Sequence, residues 1–103
     1  MSLPANPATG GTASPKAIIG VSLKMYFGYA RSLDYCRAVA AIASAHPAVR
    51  NGDIELFVLP ILPALPEAAR ILGTAGAAAG AQDIFWEDEG AFTGEVSGKT
   101  VAE

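Results

Sequence analysis

Short apolar runs alternate along this chain with segments whose apolar residues repeat at helical spacing. The runs KAIIGVS from Lys16 and IELFVL from Ile54 are almost wholly apolar and rich in β-branched residues, as strands buried on both faces are. The small-residue run AAAGAQ from Ala77 is interpreted as a third strand. Residues 32–45 and 66–72, between these runs, are predicted to be helices. This order predicts an α/β fold with a parallel sheet and right-handed crossovers.

Local signals place the ends of these helices. Ser32 is the predicted N-cap of the first helix, and Pro47 is predicted to end it, because the residue before a proline is pushed out of the α region. Pro66 suits the first turn of the second helix, and Gly73 its C-cap. Ser97 is predicted to cap a further helix. Five residues of the first helix share one apolar face: Leu33, Cys36, Val39, Ile42 and Ala43.

The composition limits the classes of protein to which the chain can belong. It has 103 residues, of which 51% are hydrophobic and 17% charged, and these are globular values. The net charge of −3 and the scattered lysines and arginines argue against a nucleic-acid surface. The longest uncharged runs, 56–66 and 71–82, are shorter than the roughly 20 residues that cross a bilayer, so no membrane association is expected.

The two ends of the chain differ in character. Residues 1–15 are rich in Pro, Gly, Ser, Thr and Ala and are predicted to form a flexible tail. They lack the basic and apolar regions of a secretory signal, so a cytoplasmic location is expected. Residues 16–103 hold three strands and two short helices, which cannot cover both faces of a parallel sheet. They are therefore predicted to be part of a larger, incomplete domain.

A loop of about fifteen residues follows the third strand within GAQDIFWEDEGAFTGEVS, residues 80–97. Loops of this length are usually functional or disordered, and disordered segments are poor in aromatics, which this one is not. Trp86 and Phe92 could anchor the loop to the core or contact a partner. The acidic run 87–89 is interpreted as a solvated face rather than a cation site.

Lys24 is the candidate catalytic residue. It lies two residues beyond the first strand, at the end of the sheet where parallel α/β barrels carry their active sites. Its ammonium could bind a phosphate dianion and stabilise developing negative charge, or it could be an ordinary surface lysine. His46 follows a helix and is expected at the opposite end. The stretch 97–100 resembles the end of a phosphate-binding loop, but its glycines, Gly94 and Gly98, are one residue too close.

Three motifs resemble the triosephosphate isomerase family. GVSLKMYFG, residues 20–28, resembles its first strand and loop, usually G-x-N-W-K-M-N. ELFVLPILPALP, residues 55–66, resembles the second strand, and residues 80–97 are similar to the third strand and loop, usually ending GAFTGE-[VI]-S. The resemblance covers residues 17–103 and implies the first three βα units of a (β/α)₈ TIM barrel of about 250 residues. It implies interconversion of an aldose phosphate and a ketose phosphate through an enediolate, with no cofactor and no metal.

The resemblance also implies roles for residues near the first strand. Lys24 would bind the substrate phosphate and stabilise charge, and Ser22 stands where the family has a substrate-contacting Asn. Its shorter side chain leaves room for another carbon, as in relatives that act on four-carbon ketose phosphates such as erythrulose phosphate. A tetrulose-phosphate isomerase and the ordinary glycolytic triose enzyme remain competing interpretations. Leu23, Tyr26 and Phe27 also depart from the family pattern.

The third loop would form the interface of a homodimer. In the family this loop docks beside the lysine loop of the partner, so residues 83–97 are expected to contact a second copy. Asp83 replaces the usual Asn. The predicted interface residues are Gln82, Asp83, Trp86, Phe92, Thr93, Gly94 and Glu95.

The catalytic set implied by the resemblance is not complete in this sequence. The family's electrophilic histidine and glutamate base lie beyond the third strand, and neither His46 nor Glu95 matches them. Without a positioned base, the chain as given is expected to be an inactive fragment of an isomerase. The alternative is a non-catalytic interaction module or pseudoenzyme that keeps the dimer loop.

Overall fold

A computed structural model describes residues 14–103, and these form a parallel sheet covered by helices on one side. Its strands are β1 (Ala17–Ser22), β2 (Ile54–Leu59) and β3 (Ala78–Ala79), in the order β1-β2-β3. All six residues of β1 pair with β2, from Ala17 opposite Ile54 to Ser22 opposite Leu59. The predicted α/β class and parallel sheet are confirmed. Residues 1–13 of the predicted tail lie outside the described residues.

Four α-helices connect and follow these strands within residues 14–103. A 3₁₀ turn precedes α3, where Pro63 and Pro66 each take a first-turn position in which the missing N–H of proline costs no hydrogen bond. The turn and the short α2 were not predicted. The elements are α1 (Tyr29–Ala45), α2 (Pro47–Arg50), the 3₁₀ turn (Leu62–Ala64), α3 (Leu65–Gly73) and α4 (Gly98–Ala102).

The predicted N-cap of the first helix was wrong. The helix begins at Tyr29, three residues before Ser32, and Gly28 is its N-cap. Ser32 is fully buried within the helix, and its hydroxyl donates to the carbonyl of Phe27 at 3.5 Å. Pro47 does end α1 as predicted, because His46 is extended, but it also begins α2.

The remaining boundaries are partly as predicted. Ser97 caps α4, since its hydroxyl accepts a hydrogen bond from the N–H of Thr100 at 3.0 Å. Gly73 is the last residue of α3 rather than its C-cap, and the left-handed turn falls at Gly76, where φ is 78°. The third strand is two residues long instead of six, although the N–H of Gly80, the residue after it, still donates to the carbonyl of Val58 at 3.0 Å.

The hydrophobic core lies between the sheet and the helices α1 and α3. Val58 of β2 and Leu72 of α3 are fully buried at its centre. The edge strand β1 is different, because Ile18 is 62% exposed and Ile19 51% exposed although their side chains alternate between the two faces. The core residues are Leu23, Leu33, Cys36, Val58, Ala64, Ala68, Ile71, Leu72 and Ala77. An uncovered edge strand is what the N-terminal part of a larger barrel has.

A close contact fixes the pairing of the first two strands. Gly20 lies opposite Phe57, and the phenyl ring of Phe57 occupies the space where a Cβ at Gly20 would be. Only glycine therefore fits at this position of β1 without displacing the ring.

Candidate active-site edge

The chain leaves β1 through a loop that is fixed by one buried residue. Leu23 is only 6% exposed, and its N–H donates to the carbonyl of Leu59 at 3.0 Å, which extends the pairing of β1 with β2. The next residue, Lys24, is exposed at the carboxyl edge of the sheet. Lys24 thus lies just beyond the first strand, at the end of the sheet where the sequence placed it. Its catalytic role stays a prediction.

Lys24 has an uncommon backbone conformation. Its φ is 53°, and no other non-glycine residue in the described range has a positive φ. This left-handed conformation is costly for a side chain with a Cβ, so surrounding contacts must hold it. The Ser22 hydroxyl provides one of them, because it accepts a hydrogen bond from the N–H of Lys24 at 3.3 Å.

Gln82 provides the second contact and links all three strands. Its side-chain Nε2 donates to the carbonyl of Lys24 at 2.9 Å and to the carbonyl of Leu59 at 3.0 Å. Gln82 follows β3, so its amide ties together the carboxyl ends of β1, β2 and β3. Sequence reasoning placed Gln82 at an interface and missed this role within the chain. The interface role of Gln82 stays a prediction.

The ammonium of Lys24 has no acidic partner within residues 14–103. The ion pairs there join Lys16 to Asp53, Arg37 to Asp34, and Arg70 to Glu67. A lysine whose backbone is held at both its N–H and its carbonyl, and whose charge is not neutralised, can bind an incoming anion.

A second cation lies just beyond this loop. The guanidinium of Arg31, in the first turn of α1, lies 4.2 Å from the centre of the Phe27 ring. The ring of Phe27 packs in turn against Tyr35, with centroids 5.9 Å apart. Met25 and Tyr26, between the two cations, are 89% and 84% exposed.

The loop after β3, residues 81–97, is called the third loop below, and it closes on itself. The N–H of Phe85 donates to the carbonyl of Val96 at 2.7 Å, and Phe85 forms an isolated bridge with Ser97. Just before Val96, the N–H of Glu95 donates to the carbonyl of Phe92 at 3.0 Å. These bonds make the third loop an ordered structure with its ends side by side.

An aromatic cluster fills the third loop. The ring of Phe85 lies 4.5 Å from that of Phe92 and 5.3 Å from that of Trp86, measured between centroids. Phe92 therefore anchors the loop in part, although it remains 43% exposed. Trp86 is 85% exposed, so it does not anchor the loop to the core of this chain. A partner contact for Trp86 stays a prediction.

The other chemically reactive side chains lie away from this edge. His46 is exposed after the last residue of α1, at the opposite end of the sheet from Lys24, as predicted. Cys36 is fully buried, and this burial raises the pKa of its thiol. Among the residues that the structure describes, no cluster of His, Cys, Asp and Glu could hold a metal ion. None of the helices there is long and apolar enough to cross a membrane.

Comparison with known proteins agrees with this architecture. The family model described as triosephosphate isomerase matches residues 17–103, which is most of the chain. The chain belongs to the triosephosphate isomerase family. Its three parallel strands and intervening helices are the N-terminal part of the family's barrel, as the resemblance implied.

Individual members of the triosephosphate isomerase family fall into two groups by name. The chain is 46% identical over 91 residues to an L-erythrulose-1-phosphate isomerase of Pectobacterium atrosepticum, which covers 88% of this chain and 35% of that protein. It is 38% identical over 86 residues to the L-erythrulose-1-phosphate isomerase of Rhizobium rhizogenes, covering 84% of this chain and 31% of the relative. It is 46% identical over 63 residues to a triosephosphate isomerase of Trichlorobacter lovleyi, covering 60% and 25%. The chain thus spans between a quarter and about a third of the length of these relatives.

The residues that the family resemblance named lie at or near the carboxyl edge of the sheet. The structure brings together Ser22, Lys24 and Gln82, three residues that the sequence resemblance had named. The remaining predicted interface residues lie along the third loop, and most of them are exposed.

Proposed function

We propose that the whole protein is a sugar-phosphate isomerase that interconverts an aldose phosphate and a ketose phosphate. The observation that carries the proposal is the placement of Lys24. Its ammonium has no acidic partner within residues 14–103. Its backbone is held by Ser22 on one side and Gln82 on the other. Membership of the triosephosphate isomerase family supports sugar-phosphate isomerisation as the chemistry that such a cation would serve.

Lys24 would act electrostatically in this reaction. A proton moves between C1 and C2 of the substrate, and negative charge develops on oxygen in the enediolate. A cation held in place before the reaction stabilises that charge without the cost of reorganisation. The base that moves the proton would come from the part of the protein beyond these residues, because His46 lies at the opposite end of the sheet.

We propose a four-carbon ketose phosphate as the preferred substrate. Ser22 is shorter than the Asn that the family usually has, and its hydroxyl already accepts the N–H of Lys24. A shorter side chain at this position would leave room for one additional carbon of the substrate. Two of the relatives described above are L-erythrulose-1-phosphate isomerases.

The test compares kcat/KM of the complete protein for L-erythrulose 1-phosphate and for triose phosphates. We expect the four-carbon substrate to be favoured, and Ser22→Asn to shift the ratio toward triose phosphates by about tenfold, since one methylene discriminates by roughly 10–200-fold. Ser44→Asn, on the exposed surface of α1, is the matched control. A ratio that favours trioses in the unmodified protein would contradict the substrate assignment.

We also propose a homodimer formed through residues 83–97, in a cytoplasmic protein. The exposed aromatic and aliphatic side chains of the third loop support it, because apolar groups concentrated on one loop commonly mark an interface. Trp86 is the main anchor expected, since aromatic residues dominate interface energies. Trp86→Ala should weaken self-association measured by analytical ultracentrifugation, and a monomeric unmodified protein at micromolar concentration would refute the dimer.

A non-catalytic interaction module is the second candidate. The self-closed third loop with its exposed Trp86 favours it, because such a loop can bind a partner whether or not chemistry occurs. A complete protein that dimerises but converts neither triose nor tetrulose phosphate would establish this alternative over the isomerase.

A further inference from the structure

The loop that carries Lys24 is anchored near both of its ends in the same core. Its first residue, Leu23, is buried and belongs to the cluster between the sheet and the helices α1 and α3. Phe27, near its other end, is partly buried and packs against that cluster. The exposed residues 24–26 lie between these two anchors. The segment that holds Lys24 is therefore fixed on both sides.

The second anchor is attached to α1 through both its side chain and its backbone. The ring of Phe27 packs against that of Tyr35, with centroids 5.9 Å apart, and the guanidinium of Arg31 lies 4.2 Å from its centre. The carbonyl of Phe27 accepts a long hydrogen bond of 3.5 Å from the hydroxyl of the buried Ser32. Because α1 is a helix of 17 residues, these contacts join the loop to a rigid element.

The position of Phe27 affects the strained residue directly before the exposed part of the turn. The N–H of Tyr26 donates to the carbonyl of Leu23 at 3.4 Å, which closes the turn around Lys24. The φ of Lys24 is 53°, and a left-handed lysine persists only where the surrounding structure holds it. Release of the Phe27 anchor would let the turn open and the backbone of Lys24 relax. Its ammonium would then point in another direction.

We propose that Phe27 is a positioning residue for Lys24. It keeps the far end of the loop on α1, and so maintains the backbone conformation that directs the ammonium toward the substrate. Phe27 is a position at which the chain departs from the usual family motif, so the family pattern does not assign it this role. The inference rests on the role of Lys24 given under Proposed function, and it concerns how that lysine is held.

The first test is a graded series at Phe27 in the complete protein, followed by steady-state kinetics on the preferred sugar phosphate. Phe27→Ala removes the ring and should lower kcat by about tenfold while KM changes less, because a misplaced catalytic group costs most in the transition state. Phe27→Leu keeps an apolar anchor, is less disruptive to folding, and should have an intermediate effect. Phe27→Tyr keeps the ring and should retain kcat.

The control for a general loss of packing lies in a separate part of the core. Val49 is buried in a cluster with Ala43 and Ala75, away from the loop that carries Lys24. Val49→Ala should lower the stability of the protein and leave kcat unchanged. A fall in kcat for Val49→Ala equal to that for Phe27→Leu would show that lost stability, rather than positioning, explains the Phe27 series.

A double-mutant cycle tests whether Phe27 acts through Lys24. When Lys24 has already been replaced by alanine, Phe27→Ala should lower kcat/KM by less than about twofold, because residues that act as a unit are not additive. An equal loss in both backgrounds would overturn the inference. Unchanged kcat in both Phe27→Ala and Phe27→Leu would also overturn it.

The same measurements separate this inference from the proposed function. A large loss in Lys24→Ala together with normal kcat in the Phe27 variants would overturn only the positioning role and would leave Lys24 as the charge-stabilising group. Near-normal turnover in Lys24→Ala would refute the role of Lys24 itself, and the positioning role with it.

Discussion

The two loops that leave the carboxyl edge of the sheet are held in different ways. The loop after β1, residues 23–28, is fixed by the body of the chain. Its first residue, Leu23, is buried, the N–H of Lys24 donates to the Ser22 hydroxyl, and the carbonyl of Lys24 accepts from Gln82. Beyond Gln82, the third loop is held by contacts within itself, through the hydrogen bond from the N–H of Phe85 to the carbonyl of Val96 and the tilted contact of the Phe85 and Phe92 rings. Its largest side chain, Trp86, touches solvent over most of its surface.

The two ways of holding a loop suit two different tasks, which are positioning a catalytic group and presenting a surface to a partner. A group that stabilises a transition state must be held to within a fraction of an ångström, so it is best placed by strands and buried anchors. A surface that binds a partner needs an ordered shape with uncovered apolar groups, which a self-closed loop supplies. The first loop therefore suits chemistry, and the third loop suits association.

The largest effect is expected at the positioned charge. Lys24→Ala should lower kcat/KM of the complete protein by about 10²–10³ or more, as the loss of one pre-organised charge-stabilising group does. Lys16→Ala removes a lysine at the opposite end of β1 and should leave kcat/KM unchanged. Steady-state kinetics on the preferred sugar phosphate measure both. Near-normal turnover in Lys24→Ala would show that the first loop does not supply the chemistry.

The second effect tests the strand on which the first loop stands. Gly20→Val places side-chain atoms where the Phe57 ring lies, and the free energy of unfolding should fall by about 1–3 kcal/mol or more, because overpacking forces neighbours out of their rotamers. Gly73→Ala is the control, since nothing lies within 4 Å of a Cβ there. Denaturant unfolding of the complete protein measures both variants, and equal stability for the two would contradict the packing argument.

The third effect tests the link between the two loops. Gln82→Ala removes the hydrogen bonds to the carbonyls of Lys24 and Leu59 and should lower stability by about 1–3 kcal/mol. Because the left-handed Lys24 loses a support, kcat should fall by roughly tenfold or more while KM changes less. Gln82→Glu keeps the shape of the side chain but replaces its donating NH2 group with a second acceptor oxygen, so it should resemble Gln82→Ala. A loss of stability with unchanged kcat would limit Gln82 to a structural role.

The smallest effect is expected at an ion pair on α3, outside both loops. It gives a baseline for the stability changes caused by the other substitutions. The Arg70 guanidinium bonds to the Glu67 carboxylate on the exposed surface of α3, and this lowers the pKa of Glu67. A lowered pKa in the folded state contributes stability above the unfolded pKa, and that contribution is lost as the pH falls through the folded value. Glu67→Gln should therefore be slightly less stable than the unmodified protein at pH 7 and equal to it in strong acid, as measured by urea unfolding across that range. Surface pairs contribute little, and a large difference would show that α3 depends on this pair.

The sequence patterns predicted the fold better than they predicted the site. The run of apolar residues in β2 gave its bounds, and Ser97 was recognised as a cap, because both signals are local. Ser32 was misassigned because a serine near the start of a helix looks like an N-cap in the sequence, whether it precedes the helix or lies in its first turns. The helix in fact begins at Tyr29. The length of β3 was overestimated, since small residues do not show where a strand ceases to pair.

The details of the carboxyl edge needed the folded chain. Gln82 and Lys24 are separated by 58 positions, so no spacing rule indicates that one hydrogen-bonds to the other. The left-handed backbone of Lys24 is equally invisible in the sequence, because lysine has no preference for it. The aromatic content of the third loop did predict an ordered loop, but only the exposed fraction of each side chain distinguished the partly covered Phe92 from the exposed Trp86.

The buried thiol of Cys36 can report how often the helical layer opens. Burial keeps the thiol protonated and out of reach of alkylating reagents, because only an exposed thiolate reacts. Cys36 lies in the cluster that joins α1 to α3, so labelling can occur only when these helices separate. The rate at which a thiol reagent modifies Cys36 under native conditions thus counts openings of the helical layer, and it does so without any probe being introduced.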